Sequence, residues 1–233
     1  MNVNSSLDFL DMIKSSADKQ KGKNIAESAG KTADQESTAA LQKDAMLAEN
    51  LIAVIDTETN WHDEVMSVGV ALADEKNFGC LERFYYIFDR ECRVGGMYSY
   101  VLNRTNVRGK TCSRKDAITG LRNALSDRGV KKIFAYNAKF DLGHLPELAD
   151  FEWFDIMRIA AYRQFNPYIP DTAPCCKTGR LKSNYGVEPI THMITRDTSY
   201  RETHNAVNDA CDELRIMELL GLPIEKYECG RIN

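Results

Sequence analysis

Apolar residues change their spacing several times along this chain, and each spacing predicts an element. Leu51 to Ile55 is an unbroken apolar run rich in β-branched side chains, which is typical of a strand buried on both faces. Val65 to Ala73 and Leu81 to Phe88 predict two more strands, separated by the polar turn from Asp74 to Gly79. Three strands joined by short polar connections predict an antiparallel meander.

Helical spacing begins after the meander. Ser113 to Arg128 predicts a helix, because Ser113 and Asp116 form a capping pair, apolar residues follow at helical spacing and a glycine ends the pattern. Lys132 to Tyr136 and Phe151 to Asp155 predict a fourth and a fifth strand, and a helix that crosses over between strands implies parallel pairing. The chain is therefore predicted to form an α/β fold with a mixed five-stranded sheet flanked by helices.

The C-terminal third continues with two helices and a long connection. A short helix is predicted from Ile156 to Arg163, and a final helix opens at His204 to Asp209 and stops before Gly221. Thr203 is the predicted N-cap of that helix. Residues 165 to 201 contain four prolines, and the Gly-containing stretch with Lys177, Arg180 and Lys182 is predicted to form a loop facing the site.

Residues 1 to 50 differ in composition from the rest of the chain. They are rich in Lys, Asp, Glu, Ser, Ala and Gln and have a single aromatic residue, Phe9, so they can bury little apolar surface. Residues 5–14 are the exception and predict a short amphipathic helix that docks on another surface. We predict a flexible N-terminal tail over residues 1–50 and a globular domain over residues 51–233. The segment Ser6 to Leu10 loosely resembles the peptides that bind the bacterial sliding clamp, which makes a polymerase or a clamp the candidate protein partner.

Composition argues against several classes of protein. The net charge of −4 argues against binding of nucleic acid by bulk electrostatics, although it leaves a local site open.

No apolar run reaches the roughly 18 residues of a membrane span and no signal peptide is recognisable, so a soluble, cytoplasmic protein without a membrane partner is expected. The seven cysteines form no C-x-x-C pair, which indicates reduced thiols. No G-x-G-x-x-G follows the first strand, so a dinucleotide-binding enzyme is set aside.

Acidic residues stand at the ends of predicted strands. Asp56 and Glu58 follow the first strand and project to the same side, because strand residues two apart share a face. Asp141 follows the fourth strand, at the edge where open α/β sheets place their ligands. Asp209 lies in the final helix, and His204 can reach the same ligand only from the loop that leads into it, since five helical steps of about 100° separate the two residues. A bound divalent cation is the usual way to stabilise like charges in such proximity.

These residues form a pattern of three motifs, Asp56-x-Glu58, Asn137-x-x-Phe140-Asp141 and His204-x-x-x-x-Asp209. The pattern resembles the DEDDh group of 3′-5′ exonucleases, which includes polymerase proofreading subunits, ribonuclease T and oligoribonuclease. The resemblance covers about residues 51 to 222 and implies an RNase H-like fold. Two positions depart from the group: Tyr136 stands where many members have His, and Asn60 stands where Thr or Gly is frequent.

The resemblance implies an enzyme that removes 5′-mononucleotides from the 3′ end of nucleic acid, with DNA favoured and a role in DNA repair or replication. Two Mg²⁺ ions about 3.5–4 Å apart would serve this chemistry, and Mn²⁺ can replace them. Asp56 would bind both ions, while Glu58 and Asp209 would complete the site of the ion that carries the attacking water. Asp141 would hold the second ion. His204 would be the general base, because its unperturbed pKa of about 6.5 lets it accept a proton at neutral pH.

Contacts with the substrate are predicted around these motifs. The resemblance implies that Thr59 lies close to the terminal nucleotide. Two aromatic residues, one just before the second motif and one within it, can stack on a base or belong to the core. Three basic residues in the predicted loop facing the site are candidates for phosphate contacts. The predicted substrate-binding residues are Thr57, Thr59, Tyr136, Asn137, Phe140, Lys177, Arg180 and Lys182.

Two alternatives stay open. The same fold serves exoribonucleases of the ribonuclease T and oligoribonuclease type, and nothing in the sequence separates DNA from RNA as the substrate. A catalytically silent module that holds a nucleic-acid end is the other alternative. The presence of all five signature residues argues against it.

Overall fold

The computed structural model describes residues 50–233. The predicted tail, its helix near residues 5–14 and the partner contact assigned to it lie outside the described residues. The division into a tail and a domain therefore stays a prediction.

Six strands form one mixed sheet. Its strands are β1 (Leu51–Thr59), β2 (Val65–Asp74), β3 (Cys80–Phe88), β4 (Lys110–Cys112), β5 (Lys132–Ala135) and β6 (Glu152–Asp155). They are arranged in the order β4-β3-β2-β1-β5-β6. β1 to β3 pair antiparallel, whereas β5 pairs parallel with both β1 and β6, and β4 pairs parallel with β3.

The predicted α/β class, with its meander and its parallel strands, is confirmed. The predicted number of five strands is wrong by one, because β4 adds an edge strand beside β3. β4 has only three residues, Lys110–Cys112, and two of them are exposed. So short a segment cannot show the alternation by which a strand is recognised in a sequence.

The helices cover both faces of this sheet. They are α1 (Glu91–Val94), α2 (Arg114–Asp127), α3 (Lys139–His144), α4 (Met157–Ala160), α5 (Val187–Thr195) and α6 (Ala206–Leu220), with 3₁₀ turns at Ser99–Val101, Pro146–Leu148 and Ile224–Gly230. α2 begins as predicted, since the Ser113 side chain accepts a hydrogen bond from the backbone N–H of Asp116. Gly129, with φ of 70°, follows its end.

One prediction about the C-terminal third is wrong, and one helix there was not predicted. α4 is limited to Met157–Ala160, shorter than the predicted Ile156 to Arg163. α5 (Val187–Thr195) lies within residues 165 to 201, where no helix was predicted. Pro189 is the third residue of α5, where a missing N–H costs no intrahelical hydrogen bond, so this proline is compatible with the start of a helix.

The core lies on both faces of β1. Ile52 and Val54 belong to an apolar cluster that includes side chains of α6, whereas Ala53 and Ile55 belong to a second cluster that includes side chains of α2. This alternation confirms a strand buried on both faces and fixes the direction in which the residues after Ile55 point. Within residues 50–233, no helix is both long enough and apolar enough to span a lipid bilayer.

Candidate functional site

The end of β1 carries two acidic side chains toward α6. Asp56 and Glu58 continue the face of Ile52 and Val54, and the pairing with β2 shifts its register between Glu58 and Thr59. Glu58 is only 9% exposed. The Asp56 Oδ2 atom is buried and makes no hydrogen bond, which is an unfavourable state for a carboxylate oxygen without a ligand.

A glycine on the neighbouring strand brings α6 to this point. Gly69 pairs with Asp56 across the two strands. A Cβ atom on Gly69 would lie 2.1 Å from backbone atoms of Ala206 and Val207, so only glycine lets the first turn of α6 rest on the sheet there. Asp209 lies in this same first turn and is 3% exposed.

His204 joins Glu58 and Asp209 from outside the helix. It lies two residues before α6 with φ of 53°, in the left-handed region. One ligand atom from each of the three residues lies within 4.8 Å of the others. The structure therefore brings His204 and Asp209 together in the way the sequence required, from the segment leading into the helix.

The predicted N-cap of α6 is wrong. Asn205 occupies the N-cap position and makes no side-chain capping bond. The Thr203 hydroxyl instead donates to Asp209 Oδ1 at 3.3 Å. Thr203 is therefore bonded to a site carboxylate and does not cap the backbone.

Asp141 reaches the end of β1 from the other side. It lies in α3, is 2% exposed, and its Oδ1 accepts a hydrogen bond of 2.8 Å from the Thr57 hydroxyl. Asn137, with φ of 64°, turns the chain between β5 and α3, and its backbone N–H donates to Asp155 Oδ1 at 3.0 Å. This turn points α3 back toward β1.

The four carboxylates repel one another in a buried place. Burial, followed by the charges of Asp209, Glu202 and Asp141, raises the pKa of Glu58 to about 8. Burial is also the largest cause that raises the pKa of Asp141 and of Asp209 to about 7. Burial and then the neighbouring carboxylates hold the pKa of Asp56 well above its ordinary value.

Divalent cations fit this arrangement. Carboxylate oxygens are the hard ligands that Mg²⁺ and Mn²⁺ prefer, and the unbonded Asp56 Oδ2 offers one at the end of β1. A positive charge there would offset the repulsion that raises these pKa values.

His204 is held as a neutral ring against an aromatic side chain. Burial lowers the pKa of His204 below its ordinary value. The Tyr98 ring stacks on the imidazole with ring centroids 3.9 Å apart and an angle of 19° between the planes. The stack fixes the plane of the imidazole beside Glu58 and Asp209.

Three further residues shape the site and were not predicted. Tyr98 contacts His204, and Asn205 donates its side-chain N–H groups to the backbone carbonyls of Val101 and Leu102 at 2.8 and 3.2 Å. Glu213 is buried in α6 four residues after Asp209. The spacing of four residues between Asp209 and Glu213 could have indicated from the sequence that both lie on one face of the helix. The contacts of Tyr98 and Asn205 join segments that are distant in the chain, so no local pattern predicts them.

Two of the predicted substrate-binding residues have structural partners. Thr57 is buried and its hydroxyl serves Asp141. Tyr136 packs partly against the core, and its hydroxyl donates to the backbone carbonyl of Tyr185. Both hydroxyls therefore have partners within the protein, and substrate contacts by the two residues stay predictions.

The other candidates are more accessible. Asn137, Lys177 and Lys182 are exposed, Phe140 is 41% exposed beside the His144 ring, and Thr59 is half-buried. The Arg180 guanidinium lies over the Tyr185 ring at 5.5 Å. Within residues 50–233, no hydrogen bond or ion pair joins these three basic side chains to the site carboxylates, so their phosphate contacts stay predictions.

Solved structures that share this fold include 3′-exonucleases. No protein-family model and no curated protein sequence matches the chain. A solved 3′-exonuclease described as recognising the 3′ end of a histone mRNA stem-loop aligns with a TM-score of 0.53 at 12% identity, covering 80% of this chain and 71% of that one. The nuclease domain of 3′hExo, a DEDDh family member bound to rAMP, aligns with a TM-score of 0.50 at 12% identity over 72% and 90% of the two chains.

A bacterial exonuclease shares the fold as well. E. coli exonuclease I in complex with a dA16 oligonucleotide aligns with a TM-score of 0.50 at 15% identity, covering 77% of this chain. This chain spans 42% of the length of that one. The predicted RNase H-like fold of the DEDDh exonucleases is thereby confirmed as a fold.

Proposed function

We propose that this protein is a metal-dependent 3′-5′ exonuclease that releases 5′-mononucleotides from the 3′ end of nucleic acid. The observation that carries the proposal is the convergence of Glu58, His204 and Asp209 within 4.8 Å at the end of β1. Asp56 and Asp141, both in the same electrostatic cluster, complete the set of acids that the sequence pattern predicted. The fold shared with solved 3′-exonucleases supports the same activity.

Mg²⁺ is the proposed cofactor, with Mn²⁺ as a substitute, and Asp56, Glu58, Asp141 and Asp209 would hold it. When bound, divalent ions supply an activated water and stabilise the charge on the phosphoryl and leaving oxygens. The acids contribute negative charge and hard oxygen atoms, and Thr57 orients the Asp141 carboxylate through its 2.8 Å hydrogen bond.

His204 is the proposed general base. Its imidazole is neutral at pH 7 because burial lowers its pKa, so a ring nitrogen can accept the proton of the attacking water. Tyr98 holds the plane of the ring by stacking, and the Thr203 hydroxyl donates to Asp209 on the same side of the site. Proton acceptance therefore takes place at a fixed position beside Glu58 and Asp209.

DNA with a free 3′ end is the proposed substrate, with a cytoplasmic location and a role in DNA repair or replication. An RNA substrate is the second candidate, and the rAMP bound to the 3′hExo nuclease domain favours it. Digestion of matched DNA and RNA oligonucleotides in competition separates the two.

Product analysis tests the activity. With Mg²⁺, the full chain is expected to shorten a 5′-labelled single strand one nucleotide at a time, and omission of the metal should stop it. Asp56→Asn should abolish shortening with an unchanged circular dichroism spectrum. Asp127→Asn, an exposed change at the end of α2, is the control and should retain full activity. Undiminished digestion by Asp56→Asn would reject the site, and binding of a 3′ end without hydrolysis would indicate the silent module.

A further inference from the structure

Glu213 is a buried acid that the proposed mechanism does not use. It lies on α6, four residues after Asp209, so the two side chains project from one face of the helix. It is 2% exposed. A buried glutamate is costly unless hydrogen bonds and positive charge compensate for the lost hydration.

Its hydrogen bonding supplies only part of that compensation. Glu213 Oε2 accepts the backbone N–H of Tyr136 at 2.9 Å, where β5 ends before the turn to α3. Within the described part of the chain, no Lys, Arg or His side chain forms an ion pair with Glu213. One bond from a neutral donor does not offset the burial of a full negative charge.

The nearest charges are the acids of the site. After burial, the charge of Glu213 is the largest cause that raises the pKa of Asp56. After burial, the charge of Asp141 is the largest cause that raises the pKa of Glu213 itself. The charge of Glu213 therefore acts on Asp56 and Asp141, the two acids outside the group formed by Glu58, His204 and Asp209. Either a proton on Glu213 or a cation bound among these acids would compensate for this charge.

We propose that Glu213 supplies a fifth negative charge to the metal site and thereby raises its affinity for divalent cations. The inference rests on the proposed function, since it concerns the ions that the four signature acids would bind. It assigns to α6 two carboxylates of the site, Asp209 and Glu213, one helical turn apart. It also links the ion site to the end of β5 through the Tyr136 N–H.

Direct binding of Mn²⁺ without nucleic acid tests the inference. Glu213→Gln removes the charge, while its amide oxygen can still accept the Tyr136 N–H. Isothermal titration of the full chain is expected to give Mn²⁺ binding about tenfold weaker than wild type. Glu213→Asp keeps the charge and should stay within about threefold of wild type. Glu218→Gln, an exposed change on the same helix, is the control and should bind as wild type does.

Each different result of these titrations would contradict a specific claim about Glu213 or about the metal site. Equal Mn²⁺ affinity of Glu213→Gln and wild type would overturn the inference and leave the nuclease proposal intact. A loss in Glu213→Asp as large as in Glu213→Gln would show that the charge is not the cause. A metal-free Glu213→Gln variant less stable than wild type would assign Glu213 a structural role. Absence of Mn²⁺ binding by the wild type would instead overturn the metal-dependent function itself.

Discussion

Gly69 lies opposite Asp56 in the antiparallel pairing of β1 and β2, and its missing side chain lets α6 start against the sheet. Gly69→Ala would place a Cβ atom 2.1 Å from the backbone of Ala206 and Val207, so α6 has to move away. We expect a loss of about 3 kcal/mol in the free energy of unfolding and a loss of most activity, because Asp209 and His204 shift with the helix. Urea unfolding and oligonucleotide digestion measure the two effects.

Gly143→Ala is the matched control for this change. No atom lies within 4 Å of a Cβ built on Gly143, which is exposed in α3, so this variant should fold and cleave as wild type does. Equal behaviour of the two variants would show that the contact between α6 and β2 is dispensable.

Thr57 and Asp141 are predicted to act as a pair. Thr57→Val removes the hydroxyl that donates to Asp141 Oδ1, a hydrogen bond to a carboxylate worth about 1.5–3 kcal/mol. If the bond orients Asp141 for reaction, kcat should fall about ten- to hundredfold. Thr57→Ser retains the hydroxyl and should keep most of the rate. A wild-type kcat for Thr57→Val would show that the Thr57 hydroxyl does not orient Asp141 for the reaction.

Stability should depend on pH and metal together. In the metal-free folded protein the pKa of Glu58 is about 8 and those of Asp141 and Asp209 are about 7, compared with ordinary values of 4.5 and 3.8. The folded state therefore binds more protons than the unfolded state between these values. The stability that these groups contribute is present below pH about 4 and is lost as the pH rises through 7 to 8.

Mg²⁺ should offset that loss, because it supplies the charge that protons supply at low pH. We expect saturating Mg²⁺ to raise Tm more at pH 8 than at pH 5.5, measured by differential scanning fluorimetry. A variant with Asp56, Glu58 and Asp209 changed to the corresponding amides should lose this difference. A Tm increment independent of pH in the wild type would contradict the assignment of these acids to the ion site.

Tyr98 is expected to affect the rate more than binding. Its stack on His204 has the geometry of an aromatic pair worth about 0.5–1.5 kcal/mol, so Tyr98→Ala should lower kcat about tenfold or less. Tyr98→Phe keeps the ring and should restore the rate. Steady-state kinetics on a short oligonucleotide separate kcat from KM. A large rise in KM with unchanged kcat would mean that Tyr98 serves the substrate and not His204.

The parts of the fold that local pattern determines were predicted correctly. β1 is recognisable because five apolar residues end in two acids, and α2 because Ser113 and Asp116 cap it. β4 and α5 were missed for different reasons. β4 is a strand only because β3 pairs with it, and α5 contains a proline that its first turn tolerates.

The site, like the fold, was predicted only where a local sequence pattern determines it. The sequence pattern indicated the signature acids, and the helical angle between His204 and Asp209 required the histidine to lie before the helix, where the structure places it. The contacts that hold His204 could not be predicted from local sequence pattern. Tyr98 lies about a hundred positions earlier in the chain, and Asn205 bonds to Val101 and Leu102 with the same separation.

The central position of β1 in the sheet determines which of the site's acids can move. β1 pairs with β2 along its length and with β5 from Ile52 to Val54, and Asp56 is held by its pairing with Gly69. Asp209 and Glu213 are carried by a helix that rests on the sheet through side-chain packing and the close approach at Gly69. If these acids hold a divalent cation, we expect that a change from Mg²⁺ to the larger Mn²⁺ would displace α6 more than β1.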